Sequence, residues 1–493
     1  MGRRTTSRTL ALAGLLAGVV TSALTTLAAP ATADRAPHDR AAGDQAAYDR
    51  GYQLGLEAYR YGLPLVTTDA TFRAQTSIDV PDGRGFGPVN RFNPVRKFIT
   101  PDDRSVVAPN LDTLYSVAWL DLSDQPQVIH VPKVRNRYFV IPLMSPYTEN
   151  FTNLGSVERT APGDYAVVGP DDADIRLPRH VKRIVSPYDR VWIIQRIYAD
   201  NDDVRDQRTV NRIQDATTVI PLRKYPRWRW NPAPPRHPDT TTDAVTIPTG
   251  MAFYDRLGDL LAAFPPPGED APALEQLAGI GVGPGRHPSA DDTLDAHTRA
   301  GMEAAIAAGQ ATVLQDAMGL YGQGFAKHNG YLVTPTGSYG TDYRLRSVIT
   351  QVGLGALRSE QAMYPLALLD RTGQPLTGAK RYVVRIPAGQ LPPLTSTGFW
   401  SLTLYDGDGF VVPNEIDRYA INDRTDLHRN ADGSLDLYVQ ASRPSDPDRA
   451  RNWLPAPTGG FRLLWRMYGT QTAAIPGILD GTGWRTPAIV PAG

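Results

Sequence analysis

The spacing of apolar residues changes twice along this chain, and that alternation narrows the fold more than any single motif. Between Leu114 and Tyr198, β-branched and aromatic runs of strand length are separated by Pro, Gly and Asp. They are Leu114–Asp121, Gln127–Val131, Tyr138–Pro142, Asp164–Val168 and Val191–Tyr198. Several short strands at this spacing argue for a sandwich or jelly roll rather than for βαβ units. The middle then becomes Ala/Leu-rich with helical period, over Met251–Phe264, Ala271–Leu277, Asp291–Leu320 and Tyr343–Leu354. Strand runs return at Tyr364–Leu369, Arg381–Ile386, Gly398–Tyr405, Leu435–Gln440 and Phe461–Tyr468. The expected fold is mainly β with α: two β-sandwich or jelly-roll-like domains joined by a helical connector. The expected boundaries are 48–221 for the first β domain, 222–330 for a Pro-rich linker and helical connector, and 331–493 for the second.

A short amphipathic helix is expected at Tyr48–Tyr61, stopped by Gly62 and Pro64, and another over Asp203–Gln214. In the second domain, Asp406-Gly407-Asp408-Gly409 carries turn chemistry between Phe399–Tyr405 and Phe410–Asn414, which predicts a hairpin. The alternative for Asp406 and Asp408 is a hard cation held with Asn414 or Glu415.

The first residues carry the marks of an export signal. Arg3, Arg4 and Arg8 precede the uncharged run Thr9–Ala29, and Ala31-Thr32-Ala33 fits a small-residue cleavage site. This predicts a secreted or extracytoplasmic protein with a mature start near Asp34, residues 34–47 forming a loose segment. No later stretch is long and apolar enough for a transmembrane anchor. With no cysteine, neither disulfides nor thiol chemistry is available. Basic and acidic residues balance at 51 each, so nothing points to nucleic acid. A homo-oligomer is compatible with the sequence.

Motifs for cofactor or metal chemistry are weak. The eight histidines include no His-Glu-x-x-His and no pair at i, i+4, which argues against a zinc hydrolase. The glycines of Gly279–Gly285 follow a helix, lack Lys-Ser/Thr and include Pro284, so they read as a connector. No cofactor is expected. Thr336-Gly337-Ser338-Tyr339-Gly340 falls one glycine short of a nucleophile elbow. Ser338 is a weak catalytic candidate, set against a Gly-rich loop in which it caps the next helix. Tyr225, Trp228 and Trp230, interleaved with Arg223, Lys224, Arg227 and Arg229, could grip an anionic glycan or pack as a linker.

Two groups of residues carry a resemblance. The first comprises Pro109-Asn110-Leu111-Asp112-Thr113-Leu114-Tyr115-Ser116, then Arg137-Tyr138-Phe139, Tyr147-Thr148-Glu149-Asn150 and Gly163-Asp164-Tyr165. The second comprises Tyr339-Gly340-Thr341-Asp342-Tyr343, Arg346, Asn422-Asp423-Arg424 and Asn452-Trp453-Leu454-Pro455. Together they resemble bacterial envelope proteins that pair a DUF1254 domain with a C-terminal DUF1214 domain, a family of unknown function. Leu111 departs from the pattern, which usually has a polar residue there. The resemblance implies two β domains joined through helices, and no activity.

The ligand-binding candidates are Asn110, Asp112, Tyr115, Tyr339, Tyr343, Arg346, Asn414, Arg418 and Trp453. Their amides, carboxylates and guanidiniums supply directional hydrogen bonds, while Tyr and Trp supply flat apolar faces. The same residues could instead tie turns. Asn110–Tyr115 and Tyr339–Arg346 are expected to converge on a cleft between the domains that binds a small polar molecule or glycan. A secreted hydrolase of an ester or polysaccharide is the alternative.

Overall fold

The computed structural model describes residues 35–104, 107–225 and 244–492. The expected export signal and the Trp228–Trp230 part of the basic-aromatic stripe lie outside these residues. Among the described residues the chain forms two β units with a helical layer against them, mainly β with α.

In the first unit the strands are β1 (Asn93–Pro94), β2 (Thr113–Asp121), β3 (Gln127–Val131), β4 (Phe139–Met144), β5 (Asn150–Gly155), β6 (Gly163–Val168), β7 (Val181–Val185), β8 (Arg190–Tyr198) and β9 (Thr218–Pro221). They make two sheets, β1-β2-β8-β4-β5 and β7-β6-β3-β9. Leu114, Ala118, Ile141 and Ile193 from one sheet pack on Ile129, Tyr165 and Val167 from the other. That is the sandwich core. In β2 the alternate residues Val117 and Trp119 turn to the opposite face, where they are buried again with Trp192 and Ile194 of β8. A sheet covered on both faces explains why these strands read as nearly continuous apolar runs.

The second unit holds β10 (Ala362–Met363), β11 (Leu366–Ala367), β12 (Arg381–Ile386), β13 (Leu394–Asp406), β14 (Ala420–Asn422), β15 (Leu435–Gln440), β16 (Trp453–Pro455), β17 (Phe461–Thr470) and β18 (Ile489–Ala492). Its sheets are β10-β17-β13-β14, with β11 also on β17, and β16-β15-β12-β18. They enclose Trp400, Leu402, Val384, Leu437 and Trp465. The segment after Asp406 differs from the expected hairpin. The turn forms, with Asp406 Oδ1 accepting from the amides of Asp408 at 3.0 Å and Phe410 at 2.8 Å. Phe410–Asn414 is a loop, however, and β13 pairs instead with β14 and β17. Pro413 removes a ladder donor, and Asn414 closes its own turn on Arg418.

The helical layer is built from α1 (Arg35–Gln75), α3 (Met251–Ala263), α4 (Ala271–Ala278), α5 (Ala296–Gly324) and α6 (Tyr343–Gly353), while α2 (Val204–Ala216) packs Val210 and Ile213 against the first sandwich core. α1 covers residues 35–47, where a loose segment was expected, and runs through both expected stop signals, Gly62 and Pro64. Burial explains the latter: from Leu56 to Ala74 the helix packs in the core of the layer with Phe253, Leu257, Met302 and Val313, and tertiary packing outweighs local propensity. Gly51 and Gly301 sit where α1 and α5 meet backbone to backbone, and a Cβ at either would collide with the partner helix. Asp69 locks α1 to its neighbours, its buried carboxylate meeting Arg73 at 3.0 Å, Arg190 of β8 at 3.0 Å and Arg256 of α3 at 2.7 Å.

The two β units meet through Tyr138, Val140 and Tyr198 of the first and Phe399 and Tyr468 of the second. Phe399 and Tyr468 stack with ring centroids 4.4 Å apart.

Candidate functional site

The motif Pro109–Asp112 precedes β2, and its polar groups reach across into β13 and β17. Asn110 Oδ1 accepts from the amides of Asp112 at 2.6 Å and Thr113 at 2.9 Å, closing a tight turn. Its Nδ2 donates to the Tyr468 hydroxyl. Ser401 donates to Asp112 at 2.7 Å, Tyr405 donates to the Pro109 carbonyl at 2.6 Å, and Arg466 donates to the Ala108 carbonyl at 2.9 Å. Burial pushes the Asp112 carboxyl pKa up, opposed by Arg466, the Ser401 hydrogen bond and Arg424. The motif is therefore a latch between the β units.

Beside this latch opens a cavity of about 750 Å³. Its walls come from all three parts of the molecule: β2 and β8, the faces of α5 and α6 carrying Leu314, Ala317, Ile349 and Val352, and Tyr364, Leu366, Tyr405 and Leu464 of the second unit. A cavity of this size between structural units suits a small organic molecule. Two of the expected residues, Asn110 and Tyr115, line it.

Among its lining cations is Arg196, which lies directly opposite Tyr115 in the β2–β8 ladder. Cross-strand neighbours on one face come close enough to touch, and the guanidinium stands 5.2 Å from the Tyr115 ring centroid. Arg196 is 6% exposed. It donates to the Tyr364 hydroxyl at 2.9 Å and to the Gly355 carbonyl at 2.8 Å, while its Nε has no partner. Arg466, 3% exposed, also lines the cavity but is occupied by Thr403 and the Ala108 and Pro109 carbonyls. The Thr113 hydroxyl, on the same wall, is buried without a partner.

The remaining expected residues lie elsewhere. Arg346 is on α6 but outside the cavity wall. It donates to the Gly340 carbonyl, lies 3.7 Å from Glu149, and faces the rings of Tyr343 and Tyr147 at 5.3 and 5.9 Å. Tyr343 donates to Asp270 at 2.8 Å and meets Tyr61 edge-on. The Tyr339 amide donates to Glu149. Burial raises the Glu149 pKa, opposed by Arg346 and by hydrogen bonds from Tyr339, Ser338 and Gly340. Ser338 is exposed and meets Glu149, a carboxylate where an elbow nucleophile would need a histidine. The cap of α6 is Asp342, which accepts from the Leu345 amide at 2.9 Å. Asn414, Arg418 and Trp453 form a third group that ties loops within the second unit. Arg418 donates to the Arg451 and Trp453 carbonyls, and Trp453 to Gln440. Among the described residues no cluster of His, Asp or Glu could hold a metal ion, and no helix is long and apolar enough to cross a membrane.

Arg196, Tyr364 and Arg466 are absent from the sequence candidates, yet the two arginines left a signal. Arg196 is the single charge inside the apolar strand run Val191–Tyr198, and Arg466 is one of two, with Arg462, inside Phe461–Tyr468. A charge at such a position is buried and needs a partner.

Two family models match the chain: "Protein of unknown function (DUF1254)" over residues 89–221 and "Protein of unknown function (DUF1214)" over residues 361–472. The first covers β1 to β9, and the second β10 to β17. The helices on the cavity wall lie outside both. No curated protein matches. The crystal structure of the VPA0106 protein from Vibrio parahaemolyticus is similar at 22% identity and a TM-score of 0.62, covering 90% of this chain and 100% of that one, a likeness of fold. A putative uncharacterized protein from Burkholderia cenocepacia aligns at 13% identity and a TM-score of 0.38, over 93% of this chain and 97% of that one.

Proposed function

We propose, for a chain that pairs a DUF1254 domain with a C-terminal DUF1214 domain, that it binds a small organic ligand with an apolar body in the cavity between its β units and helical layer. One observation carries the reading: all three parts of the fold contribute walls to a single cavity of about 750 Å³. Its apolar side chains would take the ligand body out of water, worth about 25 cal/mol per Å² of apolar surface removed. The polar groups at Tyr115, Arg196 and Tyr364 would fix its orientation. The expected export signal supports an extracytoplasmic setting, in the envelope or beyond it.

The test is displacement of an environment-sensitive apolar dye. Wild type should bind the dye, and Leu314→Trp, which places an indole on the α5 wall, should weaken binding more than tenfold without a loss of melting temperature. Equal binding by both proteins would put the dye outside the cavity and overturn the reading.

A further inference from the structure

We infer that the ligand is an organic monoacid and that its carboxylate docks on Arg196 and Tyr364. The inference rests on the cavity being a binding site and adds the class of the ligand.

The first support is the charge balance. Arg196 makes no ion pair among the described residues, and the groups acting on it most strongly, besides its burial, are Tyr115, Tyr364, Tyr468 and Tyr138. A buried cation is held best by an anion, and here tyrosines and one carbonyl surround it instead. Arg466 does not offset this, because it adds a second buried cation near the same Tyr115 and Tyr468. The nearby buried carboxylate, Asp112, is shared between Arg466 and Arg424 and accepts from Ser401.

The second support is the set of unused donors. Arg196 Nε has no acceptor. The Tyr364 hydroxyl accepts from Arg196, so its own hydrogen is free for an oxygen in the cavity. The Thr113 hydroxyl on the same wall is likewise without a partner. One guanidinium edge and one or two hydroxyls match the two oxygens of a carboxylate. At the same end the donors of Arg466 already serve Thr403 and backbone carbonyls, whereas Arg84 and Lys97 also line the cavity, so a phosphate head is the competitor that the head-group comparison must separate from a carboxylate. Behind this polar end the cavity continues along Leu314, Ile349, Val352 and Leu464, which sets an apolar tail against α5, α6 and β17.

The experiment compares probes that share one tail and differ in the head: dodecanoate, dodecanol, dodecylamine and dodecyl phosphate, each displacing the dye from the full chain at neutral pH. Dodecanoate should compete at least tenfold more strongly than the other three. Arg196→Gln should abolish that advantage while leaving dodecanol unchanged. Tyr364→Phe, which keeps the ring and the buried cation, should weaken dodecanoate several-fold, so the assignment stays testable if Arg196→Gln does not fold. Equal competition by dodecanoate and dodecanol would overturn the carboxylate assignment and leave the cavity reading standing. Tighter binding of dodecyl phosphate would overturn it in favour of a phosphate head. If no probe competes, the cavity reading falls and the assignment falls with it.

Discussion

The Arg196 guanidinium, on a strand of the first β unit, donates to the Tyr364 hydroxyl of the second unit at 2.9 Å. That contact joins the two units at the wall of the cavity they share with the helical layer. Arg196 is thus both a structural bridge and a buried cation on the wall of the chamber. The latch at Pro109–Asp112 holds the same units together nearby, so the chamber's shape depends on contacts between units.

The latch should be strongly coupled to stability. Asp112→Ala removes the buried carboxylate whose charge faces Arg466 and Arg424, and with it the acceptor of Ser401. Removing one partner from such a buried set costs about 3 kcal/mol. Urea unfolding should show that loss, and a change below about 0.5 kcal/mol would contradict the latch.

Asp69 predicts an acid-sensitive joint. Burial pushes its pKa up, but Arg256, Arg190 and Arg73 outweigh it, so the folded carboxyl lies below its ordinary 3.8. The unfolded chain then takes up the proton more readily than the folded one. The stabilisation is complete above the unfolded pKa and is lost as pH falls through the folded one. Melting temperature followed from neutral pH to below pH 3.8 should show an acid decline in wild type that is smaller in Asp69→Asn. Identical declines would contradict this. At neutral pH the substitution should cost about 3 kcal/mol.

Arg346 separates structure from binding. Its guanidinium packs with Tyr147, Tyr343 and Glu149, away from the cavity wall. Arg346→Ala should lower stability by about 2 kcal/mol, less than for a fully buried pair because Glu149 is partly exposed. Dodecanoate affinity should stay within a factor of two. Lost affinity at full stability would move the site to Arg346.

Much of the fold was legible because its strands are β-branched, aromatic and bounded by turn residues. Gln127–Val131, Arg381–Ile386 and Leu435–Gln440 form with the bounds their sequences imply. β5 was not legible, since Asn150-Phe-Thr-Asn-Leu-Gly155 reads locally as a turn and becomes a strand through pairing with β4. β7 alternates poorly and pairs parallel to β6 at an edge. α1 extends past the local stop signals Gly62 and Pro64 because its length is set by burial against α3, α5 and α6. At the site, Asn110 and Tyr115 stood out within a compact motif. Arg196 and Tyr364 meet across 168 residues of chain, a distance no local pattern encodes.

Docking of a carboxylate on Arg196 and Tyr364 can be seen by locating the probe in crystals of the full chain grown with 12-bromododecanoate. An anomalous bromine peak is expected inside the cavity lined by Leu314, Val352 and Leu464, with the carboxylate at Arg196 and Tyr364. Bromine density found only on the outer surface, or an empty cavity at saturating probe, would contradict it.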